Sequence, residues 1–574
     1  MQDRLPGYVL GLSALSHDPA ACLLSEKGIE AAMEESKLAR ARNAAGIPRA
    51  AIRYCLDRAG AGWRDVAIVA VASRPLRAWT RHALLRARLT PLAPVSSGYY
   101  QSKAFGELGR ELNNFRILEL MKESPHSRLL QFDHHLCHAS SAFFASPFDR
   151  ALILTMDEQG DGRAGLVAIG EGNRIRHHRA ILFPHSVAWV YSQVTEIIGF
   201  RPHEEEHKTQ WLSMTAEPVF ADLFLEILRR GSTGAFPHLN KRFFNRGLTG
   251  RIAFSKDFYR RLGLSSESPA QLNEQLRARL AASVQKASET VVTELAESLR
   301  KRTGARSLCL AGGLFLNPLL VAALEENTGF EQIFVQPAAG NEGTALGAAW
   351  LAWHTTLGRP RTAPGASVYW GPSYSNDEIK QVLDNCKACY RWMNSEAEKI
   401  AATIRLLEAG KIVGWFQGAA EFGPRALGNR SLLASPWAQY VKENLNDYVK
   451  HRESFRPFAL AAPDEDCSKY FECSPNARFM ATMGRVRPEY RELLQGFVLP
   501  GGQVRLHVVE RSANPLLWNL LKKLGEKAPA PLLVNTSFNL FGEPLVVSPR
   551  DAVRSYFCSG ADALILGDFI LSKS

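Results

Sequence analysis

No run of apolar residues in this 574-residue chain approaches the ~18 needed to cross a bilayer as a helix, so no helical membrane span is expected. The opening stretch, MQDRLPGYVLGL, holds Asp3 and Pro6 and lacks an apolar core followed by a small-residue cleavage site. No secretory leader is therefore expected. Cysteine is sparse, with nine residues, an odd number, widely scattered. That argues against a disulfide scaffold and for reduced thiols in a cytoplasm. A single CxxC occurs, Cys386 and Cys389. Zinc needs two further ligands at matching spacing, and Cys467 and Cys473 do not supply it. Acidic residues are the scarcer sign: 57 Asp and Glu against 69 Lys and Arg, a net charge of +12. Much of the excess sits in residues 74–88 and 241–251. Basic patches are the footprint of nucleic-acid binders. A solvated basic face is the simpler account, and arginines for small anionic substrates explain local charge equally well. What is present is an ordinary globular composition, 46% hydrophobic and 22% charged, in a chain long enough for two or more domains.

The pattern along the chain is α/β. Residues 8–12 and 20–24 read as two strands joined by SALSHDP, with His17 and Asp18 at the turn. A helical stretch is expected over 29–42, a second over 49–59, then a strand over 66–72. DHHLCHASS follows at 133–141. His134 and His138 are four apart and share a helix face; His135 and His138, three apart, also qualify. Two such histidines hold one divalent metal when a carboxylate joins them. The nearest candidate is Asp157, which ends the apolar run ALILTM and begins the turn DEQGDG. An HxxxH alone fits packing as well as ligation. Residues 185–200 read as a helix, and 217–301 as mainly helical, capping a cleft. The strand 307–311 runs into GGLFLNP, where Gly312 and Gly313 admit close backbone approach and the following helix start suits a phosphate or adenosine. Residues 336–350 close this half with another glycine turn and a helix. Pro, Gly, Thr and Arg crowd residues 354–372, a linker composition, which places a domain boundary near residue 360.

The second half is organised around residues 414–435, GWFQGAAEFGPRALGNRSLLAS. Glycine and proline there hold tight, non-repeating backbone. Arg425 and Arg430 offer planar forked donors suited to phosphate or carboxylate. Three more segments carry similar chemistry: KHRESFRPF at 450–458, residues 502–508 with Arg505, and LVNTSFNLFGEPLV at 533–546. Three arginines and a lysine meeting in one concave site repel one another until an anion neutralises them.

EFGPRALGNRS closely resembles the hallmark of the carbamoyltransferases of the NodU/CmcH/TobZ family, and the resemblance extends over roughly residues 8–570. It implies an α/β protein with two domains. Residues 1–360 would form an actin/Hsp70-like domain similar to the tRNA threonylcarbamoyladenosine ligase, with a metal and an ATP site. Residues 361–574 would form a YrdC-like domain that processes carbamoyl phosphate into carbamoyl-adenylate. The resemblance implies His134, His138 and Asp157 as metal ligands, with iron(II) the expected metal. The fourth ligand falls at Asn341, where the family has Asp, with Glu342 beside it. It implies Lys208, Gly312, Gly313 and Asn317 at ATP, which carries Mg2+. His207 and Thr209 depart from the family pattern around Lys208. For carbamoyl phosphate it implies Arg425, Lys450, Arg456, Arg505, Asn535 and Ser537. His17 is the candidate general base, since an imidazole is poised for that role near neutral pH. The expected activity is a cytoplasmic ATP-dependent O-carbamoyltransferase acting on a hydroxyl-bearing small molecule, in natural-product biosynthesis. Nucleic acid is not the expected partner, no membrane is involved, and a homodimer is compatible with this reading. Two other readings stay open. One is tRNA threonylcarbamoylation, normally done by a separate enzyme with only the first fold. The other is an ATP-binding regulatory protein with degenerate sites, for which Asn341 and His207 speak.

Overall fold

The computed structural model describes residues 7–14, 17–42, 44–74, 117–228, 236–244, 254–264, 272–361 and 367–573. The basic stretches read from the sequence fall partly outside them, at 75–88 and 245–251.

Apolar runs broken by turn residues make the strands β1 (Tyr8–Ser13), β2 (Ala20–Ser25), β3 (Gly28–Glu34), β4 (Val66–Val71) and β5 (Arg128–Gln131). They form one sheet in the order β3-β2-β1-β4-β5. A second sheet contains β6 (Arg150–Gly160), β7 (Arg163–Glu171), β8 (Arg174–Leu182), β9 (Ser307–Ala311) and β10 (Gln332–Val335). Its order, β10-β9-β6-β7-β8, is the same pattern read from the other edge. The pairing senses match as well. β1 runs antiparallel to β2 and parallel to β4, while β6 runs antiparallel to β7 and parallel to β9. Two sheets with one topology form a duplicated α/β core. The central strands are buried on both faces, which is why LILTM and LCLA read as unbroken apolar runs.

One expectation fails. Residues 29–42 are not a helix. The segment Gly28–Glu34 is β3, and only Glu35–Ala39 is helical, ended by Arg40 in the left-handed region at φ 55°. The run GIEAAME gives helix-forming residues to a strand, a case of sheet pairing overriding local propensity. In the stretch read as helical, Ala221–Ile227, Lys256–Arg261 and the 30-residue Glu274–Thr303 are helices. The last is capped by Asn273, whose side chain accepts the Leu276 N–H, and stops at Gly304.

The chain divides into two compact units. The first gathers Met1–Gly28, Ala45–Ile52 and Leu56–Pro364; the second gathers Ile29–Ala44, Arg53–Cys55 and Gly365–Ser574. In the second unit lies a ten-stranded mixed sheet. Its middle strands are, in spatial order, β11 (Val413–Phe416), β12 (Arg430–Ala434), β15 (Leu533–Ser537), β13 (Ala459–Pro463) and β14 (Gln503–Val509). Apolar clusters bury both faces, one around Phe416, Leu460 and Leu506, the other around Trp415, Leu433 and Leu533. Among the described residues no helix is long and apolar enough to cross a membrane.

Candidate functional sites

In the first unit the helix His134–Ala145 begins at Asp133, whose side chain accepts the Leu136 N–H. Its 3.6-residue period brings His134 and His138 to one face, with their Nε2 atoms 3.1 Å apart. Asp157, on β6, faces both: its Oδ2 lies 3.5 Å from His134 Nε2 and 3.3 Å from His138 Nε2. The three ligand atoms lie within 4.8 Å of one another. Metal–nitrogen and metal–oxygen bonds of ~2.0–2.2 Å put neighbouring ligands roughly 3–3.5 Å apart, so this donor set fits one divalent cation. Two neutral imidazole nitrogens do not otherwise approach so closely without a shared proton. The protonation pattern reflects that crowding. Burial lowers both histidines; Asp157 outweighs it at His134, which is raised, while His138 stays lowered. Burial alone would raise the Asp157 carboxyl, but the two imidazoles hold it well below the usual range. Gly160 belongs to this geometry, because a Cβ there would sit 2.0 Å from His134 Cδ2.

His135 is not part of the cluster. Its Nδ1 meets Thr155 Oγ1 at 3.0 Å and its Nε2 meets the Arg163 carbonyl at 3.1 Å, so both nitrogens are used in packing. Asn341 reaches the site from the turn before the helix Gly343–Trp350. Its Nδ2 lies 3.1 Å from His17 Nε2, and its buried Oδ1 has no partner among the described residues. The Asn341 amide also neighbours His138, and its oxygen fits a fourth, neutral ligand. The neighbouring Glu342 is buried, with its Oε2 2.4 Å from where a Cβ on Gly340 would sit. His17 stands at the rim, its side chain 59% exposed, with Nδ1 2.7 Å from Asp18 Oδ2. The surrounding protein works against its charge, yet Asp18, with Asp157 and Glu158 further off, raises the imidazole. A cation held at the cluster opposes that rise.

The glycine pair lies against the same carboxylate. Gly312 sits at φ 102°, where a Cβ would strike the Met156 carbonyl at 2.2 Å, and a Cβ on Gly313 would lie 3.1 Å from Asp157 Oδ1. Asn317 caps the helix Pro318–Asn327 by accepting the Leu319 and Leu320 N–H groups, and donates to Gln285 Oε1 at 2.8 Å. Its amide is thereby committed to the helix start. Lys208 is buried, with Nζ 2.8 Å from Glu205 Oε1.

In the second unit the motif loop has two arginines with opposite fates. Arg430, 0% exposed, spends its guanidinium on the carbonyls of Gln417, Asn429, Gly418 and Pro372, and stacks over Phe416 at 3.6 Å. It braces the loop, whereas the sequence offered both arginines as phosphate forks. Glu421 does similar work: its Oε1 accepts the N–H groups of Leu427, Asn429 and Arg430 at 2.8, 2.9 and 3.2 Å. Arg425 neighbours another cation, Arg456. Arg505 sits on the strand Gln503–Val509, Arg456 just before the strand Ala459–Pro463, and Lys450 at the end of the helical turn Leu445–Lys450. Burial first, then Arg456, lowers Arg425 to about 10. Burial, then Arg425, Arg452 and Arg456, holds Arg505 well below the usual arginine range. Burial, then Arg452, Arg456 and Arg42, holds Lys450 well below the usual lysine range. Arg456 acts on all three, so these cations neighbour it, as an anion pocket requires. Lys450 Nζ is aimed by Ser537 Oγ at 3.1 Å and Asn539 Oδ1 at 2.6 Å. Asn535, opposite Leu433 and Ala459 in the sheet, donates towards His507 Nδ1 at 3.0 Å, and its buried Oδ1 has no partner among the described residues. Burial lowers His507 to about 3, so the ring is neutral.

Sequence reasoning missed Arg452, which burial and then Arg456 lower to about 9. The signal was available, since Arg452 lies inside the segment KHRESFRPF. Asn539 was missed for the same reason, as one polar residue of the segment LVNTSFNLFGEPLV among several. Cys386 and Cys389 are both exposed thiols.

Two family models match the chain, "Carbamoyltransferase N-terminus" over residues 8–350 and "Carbamoyltransferase C-terminus" over residues 404–573. The uncharacterized protein sll1178 of Synechocystis sp. is 34% identical over 99% of this chain and 97% of its own length. The nodulation protein NolNO of Sinorhizobium fredii is 33% identical, covering 97% of this chain and 79% of its own. The 3'-hydroxymethylcephem-O-carbamoyltransferase of Amycolatopsis lactamdurans is 32% identical over 46% of this chain and 48% of its own. With a donor set that fits a cation in one unit, a cation-lined pocket in the other, and family models spanning both, the chain belongs to the carbamoyltransferase family and is an enzyme.

Proposed function

We propose that the protein is an O-carbamoyltransferase that uses carbamoyl phosphate and ATP to carbamoylate a hydroxyl of a small molecule. One observation carries this reading: in one unit, burial and the neighbouring Arg456 disfavour the charges of Arg425, Arg452, Arg505 and Lys450. Such a cluster is stable to bind a dianion and costly without one. Carbamoyl phosphate is the anion that carries the group this family transfers. Water cleaves it there to carbamate and phosphate. The carbamate oxygen then attacks the α-phosphorus of ATP, releasing pyrophosphate and leaving carbamoyl-adenylate. In the second half-reaction the acceptor hydroxyl attacks the carbamoyl carbon, AMP departs, and His17 takes the hydroxyl proton. Asp18 orients that imidazole through its 2.7 Å contact. His134, His138 and Asp157, with Asn341, would hold a divalent metal, iron(II) by resemblance, that supplies Lewis-acid polarisation of the carbonyl. The relative named for a hydroxymethylcephem speaks for a small-molecule hydroxyl as acceptor.

The test is release of pyrophosphate from ATP by the purified chain with and without carbamoyl phosphate, before any acceptor is added. Release that requires both substrates is expected. Release independent of carbamoyl phosphate, or none, refutes the reading.

A further inference from the structure

The second unit contains a segment remote in sequence from the rest of it, Ile29–Ala44. Three charged residues sit there at three-residue spacing, Glu34, Lys37 and Arg40, around the short helix Glu35–Ala39. Glu34 and Lys37 are 5% and 6% exposed. Lys37 Nζ donates to the Glu421 carbonyl at 2.8 Å and the Gly423 carbonyl at 2.7 Å, and lies 2.8 Å from Glu34 Oε1. All three ammonium protons are thereby used. Glu34 Oε1 also accepts the Gly423 N–H at 2.8 Å. A buried ion pair therefore satisfies two carbonyls and one N–H of the turn 421–423. Gly423 stands at φ 109°, a conformation a side chain would resist. Arg425 follows two residues later.

Arg40 acts on another part of the same pocket. Its guanidinium donates to the Leu545 carbonyl and to Glu543 Oε2 at 3.0 Å, and lies 3.5 Å from Asp551 Oδ1. The Glu543 carbonyl accepts Asn539 Nδ2 at 2.7 Å, and Asn539 Oδ1 accepts Lys450 Nζ at 2.6 Å. So Lys37 with Glu34 holds the loop that carries Arg425, and Arg40 holds the loop that aims Lys450.

We infer that Glu34, Lys37 and Arg40 are positioning residues of the anion pocket. The inference rests on the carbamoyl phosphate reading above. The physical need is plain. Arg425, Arg452, Arg456 and Arg505 repel one another, and a Gly/Pro loop left free would swing Arg425 towards water between turnovers. The brace keeps the cations converged before the anion arrives. The ordering cost is met on folding and is not subtracted from binding.

The experiment compares Lys37→Met, Arg40→Gln, Arg425→Ala and the Lys37→Met/Arg425→Ala double variant in the full chain. Pyrophosphate release is followed at varied carbamoyl phosphate and at varied ATP. Lys37→Met and Arg40→Gln should each raise KM for carbamoyl phosphate by about tenfold to a hundredfold and leave KM for ATP unchanged. The double variant should be no worse in kcat/KM than Arg425→Ala alone, because Lys37 acts through Arg425. A merely packing role predicts a lower melting temperature and less active protein at unchanged KM, with losses that multiply in the double variant. Either of those results overturns the inference. Should Lys37→Met not fold, Arg40→Gln, whose side chain is 18% exposed, decides alone. Loss of function in Lys37→Met with full activity in Arg425→Ala, or a wild type that ignores carbamoyl phosphate, overturns the pocket reading and the brace with it.

Discussion

Replacing Arg425 by Met should make the ligand-free protein more stable and blind to phosphate. Burial, and secondarily Arg456, lower this guanidinium from 12.5 to about 10. A base whose folded pKa lies below its unfolded one opposes folding wherever both states are charged. The penalty is constant below pH ~10 and fades as pH rises from there towards the unfolded value. At ~1.4 kcal/mol per pH unit it amounts to about 3 kcal/mol at pH 7. Met keeps most of the apolar stem, and the lost arginine contacts offset part of the gain, leaving about 1–3 kcal/mol. For a unit of this size that raises the melting temperature by about 2–10 °C. Inorganic phosphate at a hundred times its Kd should stabilise the wild type by about 2.7 kcal/mol and the variant hardly at all. Scanning calorimetry of both proteins at pH 7, with and without phosphate, reads both effects. A variant that melts below the wild type in the absence of phosphate, or that gains as much from phosphate, would refute the account of Arg425 as a cation held ready for an anion.

Three further outcomes follow from the first unit. Elemental analysis of purified protein should find a transition metal that is lost from a His134→Ala/His138→Ala double variant; equal content in both removes the metal assignment. Asn341→Asp should hold that metal longer against a chelator, since an anionic oxygen binds a divalent cation more strongly than an amide carbonyl, whereas Glu342→Gln should release it at the wild-type rate. His17→Ala should still release pyrophosphate with carbamoyl phosphate present, yet transfer no carbamoyl group to an acceptor; loss of the first step would place His17 elsewhere in the reaction.

Much of this architecture is legible in the sequence because it depends on short-range geometry. The alternation of apolar runs with helices marks the α/β layers, and LILTM and LCLA read as unbroken apolar runs because both faces of these strands are buried. His134 and His138 share a face because four residues make about one helical turn, whatever lies around them. The motif EFGPRALGNRS is long enough to identify the family, and the family models matching residues 8–350 and 404–573 agree.

The tertiary structure decides what identical side chains do. Arg425 and Arg430 are five residues apart in one motif, and nothing local separates their roles. Arg430 is consumed by carbonyls, one of them from Pro372, 58 positions away. His135 has the same spacing claim as its neighbours, but Thr155 and the Arg163 carbonyl turn it into packing. Residues 29–34 have the composition of a helix and form a strand, and the segment they begin braces a loop 384 residues later through Lys37. Periodicity is set by covalent geometry and is written within a few residues. A buried guanidinium, ammonium or imidazole takes whichever acceptor desolvation leaves it, and for Lys37, Arg40 and Arg430 part of that set lies on a distant stretch of the chain.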